Sequence, residues 1–411
     1  ENFDGHNFVS KAVEKNTSAI VVEKKIDISQ KIPQIIVDDT TKALQDLAFY
    51  YRNLFKDLKV IGITGSAGKT TTKDFIGGIL KKKYNVLKTE GNLNNYIGVP
   101  LTLLSLEGSE DFAVLEIGMN KEGEIGLLSK LISPQIGVIT NVGPAHLENL
   151  GTIENVAREK RKLISELPDD GIALLNYDNE HVNKMSKVFE GKNIIYYGRT
   201  KKADINAYDI KIKENKSISF KVKYKDENVQ LNLNKPGLHN IYNVLPAVAI
   251  AREFDIKWEK IQKGINQTVF SSLRMDIKEK ENFTVINDTY NANPLSMKAA
   301  LDVLEEISNK RKIAVLGDML ELGESSLKAH EEIGQYVADK NIDFLITVGN
   351  FGKKISEGAL NRGMPSKKVF FADNNEKAGK IIQDILESED TVLIKGSRGM
   401  KMEEILDIIG E

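Results

Sequence analysis

Apolar and polar positions along the 411-residue chain repeat with two periods, and the switches between them mark three stretches. The first 37 residues hold one helical stretch, "FVSKAVEKN" (8–16), and one strand, "SAIVVEK" (18–24), too little apolar surface to bury a core alone. In "DDTTKALQDLAFYYRNLF", Leu44, Leu47, Ala48, Tyr51 and Leu54 recur at helical spacing and predict an amphipathic helix. Apolar runs follow, "FAVLEIG" (112–118), "IGVITNV" (136–142) and "GIALLNY" (171–177), separated by helical segments, as in a parallel sheet with crossover helices. Alternation over 205–233 predicts an antiparallel flap on that sheet, and "LHNIYNVLPAVAIAREF" returns to helical periodicity.

In the last stretch, strands "FTVIN", "KIAVLG", "FLITVG", "KVFFA" and "TVLIKG" alternate with helices over 295–307 and 325–339, a second α/β sheet of Rossmann type. It lacks G-x-G-x-x-G, so dinucleotide binding has no support. The fold class is α/β, with expected units at 1–37, 38–268 and 269–411 and a hinge near 266–273.

Charge narrows the partners. The 57 basic and 59 acidic side chains leave a net charge of −2, so no global field favours nucleic acid or an anionic membrane. No apolar run approaches the roughly 20 residues of a membrane span, and "ENFDGHNF" has no signal-peptide features. The absence of cysteine excludes disulfides, thiolate ligands and a cysteine nucleophile. A cytoplasmic monomer is the expectation.

The chemistry begins at "IGITGSAGKTTTK" (61–73), an apolar strand, a turn rich in glycine, then a lysine and three threonines. Such a turn aims backbone amides and a helix dipole at one anion. Gly65, Ser66, Ala67, Gly68, Lys69, Thr70 and Thr71 are candidate phosphate ligands, with Lys69 on the terminal phosphates and the Thr70 hydroxyl on magnesium. The widespread G-x-x-x-x-G-K-[ST] rule requires glycine where Ile63 stands. A guanine-reading N-K-x-D is missing, since "NKEG" and "NKMS" lack the aspartate, so ATP is the expected nucleotide. Glu116 ends an apolar strand where open α/β sheets place ligands, and His146 follows another strand end. Lys160 lies in a helical stretch beside Arg158, Arg161 and Lys162, which on spacing alone reads as a solvated basic face.

In this order "GITGSAGKTTTK", "TEGNLNNYIGVPLTLL", "LEIGMNKEGEI", "TNVGPAHLENLGT", "GLHNIYN", "NDTYNANPLSMKAAL", "VLGDMLELGE" and "IKGSRGMKME" resemble the Mur ligases, and the resemblance spans essentially the whole chain. Thr64 to Thr70 fit the family's T-G-x-x-G-K-[ST]. The resemblance implies three domains: a partial N-terminal UDP-sugar-binding domain, a central ATP-binding domain and a C-terminal Rossmann-like domain. It implies ATP-dependent joining of D-alanyl-D-alanine to UDP-N-acetylmuramoyl-tripeptide through an acyl phosphate, a step of peptidoglycan precursor synthesis. It further implies two magnesium ions, one held by Thr70 and Glu116, the other by His146 and a carbamylated Lys160. Asn240, Asn243, Arg274 and Asp288 would contact ATP, while Asn94, Asn95, Tyr290, Asn291, Asn293 and Ser397 would line the substrate site. Near Lys160 the family often carries K-x-E-I, where this chain has Lys162 in the acid's place. The branch adding the third peptide residue would carry D-N-P-R, which is absent; a folylpolyglutamate synthetase shares the loop but not "LGDMLELGE" or "GNLNNYIG". A nucleotide-gated binding protein without ligase activity is the alternative from another class. Glu324, Ser325 and His330 read equally well as dipeptide-site residues or as a helix cap and a core residue.

Overall fold

The computed structural model describes residues 4–28, 31–186, 189, 193–214 and 216–410. Near the N-terminus, strands Ile20–Val22 and Gln34–Ile36 pair in parallel, and Val9, Val13, Ile20 and Val22 form a small apolar cluster. The helix expected over 8–16 shortens to Val9–Val13.

Among the described residues, nine strands build the large sheet. From one edge they run Val86–Lys88, Phe112–Glu116, Lys59–Thr64, Ile136–Ile139, Ile172–Asn176, Asn193–Gly198, Ile205–Ile212, Ile218–Tyr224 and Glu227–Leu233. Pairing is parallel as far as Ile205–Ile212 and antiparallel beyond it. The expected flap is therefore the continuation of this sheet, and Ile218, Phe220, Val222 and Tyr224 bury alternate positions as its pattern implies. One face packs on helices Lys69–Leu80, His239–Glu253 and Trp258–Asn266 through Ile61, Phe75, Ile241 and Ile261. The other packs on Gly98–Leu104, Glu124–Ile132 and Ile153–Ser165 through Val60, Leu115, Ile125 and Leu163.

Helix Thr40–Arg52 departs from its expected stripe, because Leu47 and, just past its end, Leu54 are exposed. Arg52 turns inward instead, donating to the Ile132 and Ser133 carbonyls at the end of Glu124–Ile132, where the helix dipole favours a cation.

The second large sheet has six strands in the order Asp276–Glu279, Phe283–Asn287, Asp390–Lys395, Lys312–Leu316, Phe344–Val348 and Val369–Ala372. Only the first is antiparallel to its neighbour.

The segment joining the two sheets is tethered to the helix that starts at Lys69. Asp74 on that helix, almost fully buried, accepts hydrogen bonds from the Ser271 amide and hydroxyl and from Lys88. Phe270 meets Phe75 edge to face, and Lys235 lies 4.3 Å over the Phe270 ring. Directly afterwards Leu273 and Met275 take left-handed backbone conformations, so the chain bends hard just beyond its anchor. Replacing Asp74 by alanine strands the Ser271 amide and leaves Lys88 and Lys73 short of a counter-charge. Chemical denaturation of Asp74→Ala is expected to show a loss of about 3 kcal/mol, near the lower end for breaking a buried ion pair. A loss under about 0.5 kcal/mol, as at an ordinary surface position, would mean that this tether carries no load.

Candidate active site

The two large sheets turn their carboxyl-terminal strand ends toward one another across a cavity of about 670 Å³. From the nine-stranded sheet come the loop after Lys59–Thr64, Glu116, and the segment after Ile136–Ile139; from the six-stranded sheet come Asp288 to Asn293 and Lys395.

The loop after Lys59–Thr64 is braced from outside. A Cβ on Gly65 would stand 1.8 Å from Thr140 Oγ1. Gly68 is left-handed, with φ of 79°, and a Cβ there would stand 2.4 Å from Asn243 Oδ1. The Asn141 side chain accepts from the Ala67 amide and donates to the Ala67 carbonyl, and Ser66 exchanges hydrogen bonds with Gly143. Lys69 donates back to the Gly65 carbonyl at 2.8 Å. Helix Lys69–Leu80 begins at Gly68, which has no side chain to cap it, so its first amides remain available to a ligand.

Thr70 lies in the first turn of that helix, and its hydroxyl donates to Glu116 Oε2 at 2.8 Å. Asn94 donates to the other Glu116 oxygen at 2.9 Å. Asn95 also lines the cavity, with its oxygen accepting from the Ile97 and Gly98 amides at the start of the next helix. Burial opposes the charge on Glu116, but Lys69, Arg274 and Lys73 together hold its carboxyl below the usual range. Burial pushes Lys69 down from the ordinary lysine value, against the pull of Glu116.

Arg274 stacks on Tyr290 with its guanidinium carbon 3.8 Å from the ring centroid, and its buried Nε meets no partner. A buried orphan donor lining a cavity fits an anionic ligand. Asp288 is fixed on both sides: the Met275 amide donates to one oxygen, and Lys395, 2.5 Å away, to the other. Asn240 donates to the Pro236 carbonyl and accepts from Asn243, whose oxygen faces Gly68. Asn291 lines the cavity. Asn293 does so too; it caps helix Pro294–Ile307 and reaches across to the Ser66 carbonyl at 3.0 Å.

Three sequence-predicted residues, Gly65, Ser397 and Lys160, do not line the cavity. Ser397 is buried, accepting from the Leu320 amide and donating to the Ala292 carbonyl, so it pins two loops together instead of facing substrate. Lys160 is 1% exposed, which overturns the solvated-face reading even though Arg158 on the same helix is exposed. Burial drives its amine strongly toward the neutral form, and Lys69 acts in the same direction. Lys162, in place of the family's acid, pairs with Glu159, which accepts from the Gly123 and Ile125 amides. His330 is a core residue: its Nε2 accepts from the Met319 amide, its Nδ1 lies 2.7 Å from the Ser326 carbonyl, and its ring stacks on Phe351. Ser325 bonds the Leu322 carbonyl and does not cap the helix after it.

His146 stands across from the C-terminal unit, with Nδ1 2.7 Å from Glu321 Oε2. Asn141, Glu321 and Lys395 were not singled out from the sequence. Asn141 carries a readable signal, since it follows the same strand end as His146. Lys395 carries a similar signal, since it ends the strand Asp390–Lys395.

Thr70 and Glu116 offer one hydroxyl and one carboxylate beside a phosphate loop, a donor set that fits a magnesium ion completed by phosphate oxygens and water. Beside His146 the structure places the Glu321 carboxylate, and among the described residues no three His, Cys, Asp or Glu side chains converge on one point.

The family description "Mur ligase middle domain" matches residues 63–251, and "Mur ligase, glutamate ligase domain" matches 273–398. The UDP-N-acetylmuramoyl-tripeptide–D-alanyl-D-alanine ligase of Bacillus subtilis (strain 168) is 37% identical, covering 99% of this chain and 88% of its own. The enzyme of that name from Escherichia coli (strain K12) is 35% identical, over 100% and 89%. A crystal structure of MurF from Acinetobacter baumannii superposes with a TM-score of 0.92 at 34% identity, covering 100% of this chain and 89% of that one. MurF from Thermotoga maritima in complex with ADP gives 0.87 at 28%, over 99% and 92%. With two family descriptions spanning both large sheets and relatives matching along its whole length, the chain belongs to the Mur ligase family.

Proposed function

We infer that the chain is an ATP-dependent ligase that joins D-alanyl-D-alanine to UDP-N-acetylmuramoyl-tripeptide, the step of peptidoglycan precursor synthesis for which its relatives are named. The observation that carries the reading is the convergence of Lys69, Glu116 and Arg274, from two separate sheets, on one cavity. A free carboxylate resists attack by an amine because it is electron-rich and has no leaving group. Transfer of the terminal phosphoryl group of ATP to the tripeptide carboxylate forms an acyl phosphate and releases ADP. The dipeptide amine then attacks the acyl carbon, loses a proton, and expels phosphate.

In this reading the loop amides and Lys69 hold the charge that develops on the migrating phosphoryl group, and Arg274 meets it from the other side. Tyr290 fixes the guanidinium plane by stacking. Asn240, Asn243 and Asp288 hold the nucleotide, and Asn94, Asn95, Tyr290, Asn291 and Asn293 line the path of the peptide substrate. Thr70 and Glu116 hold one magnesium ion, which neutralises phosphate charge when bound. We place a second ion at His146, with Lys160 as a carbamate. An unmodified amine offers magnesium no hard oxygen, whereas carbon dioxide adds to a neutral amine, the form that burial favours here. We further propose that residues 1–37 belong to a UDP-sugar-binding domain, that 38–268 bind ATP, and that the enzyme acts in the cytoplasm as a monomer. Among the described residues no helix is long and apolar enough to cross a membrane.

Phosphate release from ATP by the purified chain is expected only when tripeptide nucleotide and dipeptide are both present; turnover indifferent to the dipeptide would assign a different reaction. Lys69→Ala is expected to fold normally and to lose kcat by about 10³-fold, and near-normal turnover would remove the loop from the chemistry. Lys160→Ala is expected to be inactive and to regain part of its rate with acetate or formate, but not with bicarbonate. Isotopically labelled bicarbonate should give a carbamate resonance in the parent enzyme alone. A nearly active Lys160→Ala enzyme, or no such resonance, would contradict the carbamate.

A further inference from the structure

Three contacts seat the C-terminal unit on the loops beyond the central strands. Asn293 donates to Ser66, Leu295 packs so tightly on Gly143 that a Cβ there would lie 2.3 Å from Leu295 Cδ1, and the Glu148 amide donates to the Glu321 carbonyl at 3.1 Å. The third contact also delivers the Glu321 carboxylate to His146, 2.7 Å from Nδ1. That nitrogen is sealed from solvent and meets no other polar atom, and the carboxylate lies at ion-pair distance but off the ideal hydrogen-bond direction.

Both partners sit on unusual backbone. His146 has φ of 58° and Glu321 of 65°, in the left-handed region that side chains other than glycine, asparagine and aspartate seldom occupy. Such conformations persist where surrounding structure enforces them, and they gather at functional sites. Here two of them, from different sheets, aim their side chains at each other.

We propose that Glu321 is the positioning residue for His146, so that the imidazole is set for a divalent cation only when the C-terminal unit is docked. A histidine that ligates a metal through one ring nitrogen typically donates the other N–H to a carboxylate, which fixes both the tautomer and the ring plane. Glu321 supplies that carboxylate to Nδ1, and Nε2 is left with its lone pair for the ion. Because the carboxylate comes from the other unit, binding of this ion and docking of the units favour each other. The proposal rests on the placement of a second ion at His146.

Mn²⁺ serves as the probe, titrated with ADP by electron paramagnetic resonance into the full chain and into Glu321→Ala, Glu321→Gln and His146→Ala. The parent should bind two ions per chain. Glu321→Ala should weaken one of them by about 10- to 100-fold, as loss of such a carboxylate does elsewhere, and leave the other unchanged. Glu321→Gln should stay close to the parent, because its amide oxygen still accepts from Nδ1–H. His146→Ala should lose the same ion that Glu321→Ala weakens. Two ions bound equally well by the parent and by Glu321→Ala would overturn the positioning role and leave the second ion standing. One ion in the parent would overturn the second ion and the proposal together.

Discussion

Positive charge held out of water organises this protein. Lys69, Lys73 and Arg274 gather near the buried carboxylate of Glu116, Lys160 lies in the field of Lys69, and burial presses the lysine amines toward their neutral forms. Charged groups are tolerated in a partly dry cleft only when a counter-charge completes them. A nucleotide with its phosphates supplies that counter-charge where the loop amides, Lys69 and Arg274 point, so substrate binding relieves the strain that folding creates.

The same constraint explains why two α/β sheets are needed. One strand-end loop can surround the phosphates from below, but a reacting phosphoryl group must also be met from above and shielded from water. Arg274, Asp288 and Asn293 come from the second sheet, and the segment carrying Arg274 follows directly on the Ser271 tether to Asp74. The helix that begins at the phosphate loop is therefore also the helix that anchors the joint. The phosphate loop at one end and the joint between the two sheets at the other share one helix.

Much of this was legible in the chain. The phosphate loop was readable because glycine, lysine and threonine at fixed spacing after an apolar strand serve one physical purpose, and Glu116 and His146 because they terminate or follow such strands. The antiparallel flap was readable from its period of two. Val86–Lys88 was not, since three residues hold no period, and Asp276–Glu279 carries a polar pattern that only its pairing with Phe283–Asn287 turns into a strand. Lys160 was hidden among basic neighbours, because helical phase alone does not tell which of Arg158, Lys160, Arg161 and Lys162 points inward. Ser397 stands in a family motif yet holds the Leu320 and Ala292 loops together. Glu321 and Lys395 act through partners more than a hundred residues away in sequence, Glu321 on His146 and Lys395 on Asp288, contacts that no local pattern encodes.

The central claim is that this cleft moves a phosphoryl group from ATP onto a carboxylate before the amide bond forms. Labelling both oxygens of the tripeptide's terminal carboxylate with a heavy isotope tests it directly. In a reaction supplied with ATP and D-alanyl-D-alanine, one labelled oxygen per amide bond formed should appear in the released inorganic phosphate. Phosphate carrying no label while the ligated product accumulates would contradict the acyl phosphate, and with it the roles given to Lys69, Glu116 and Arg274.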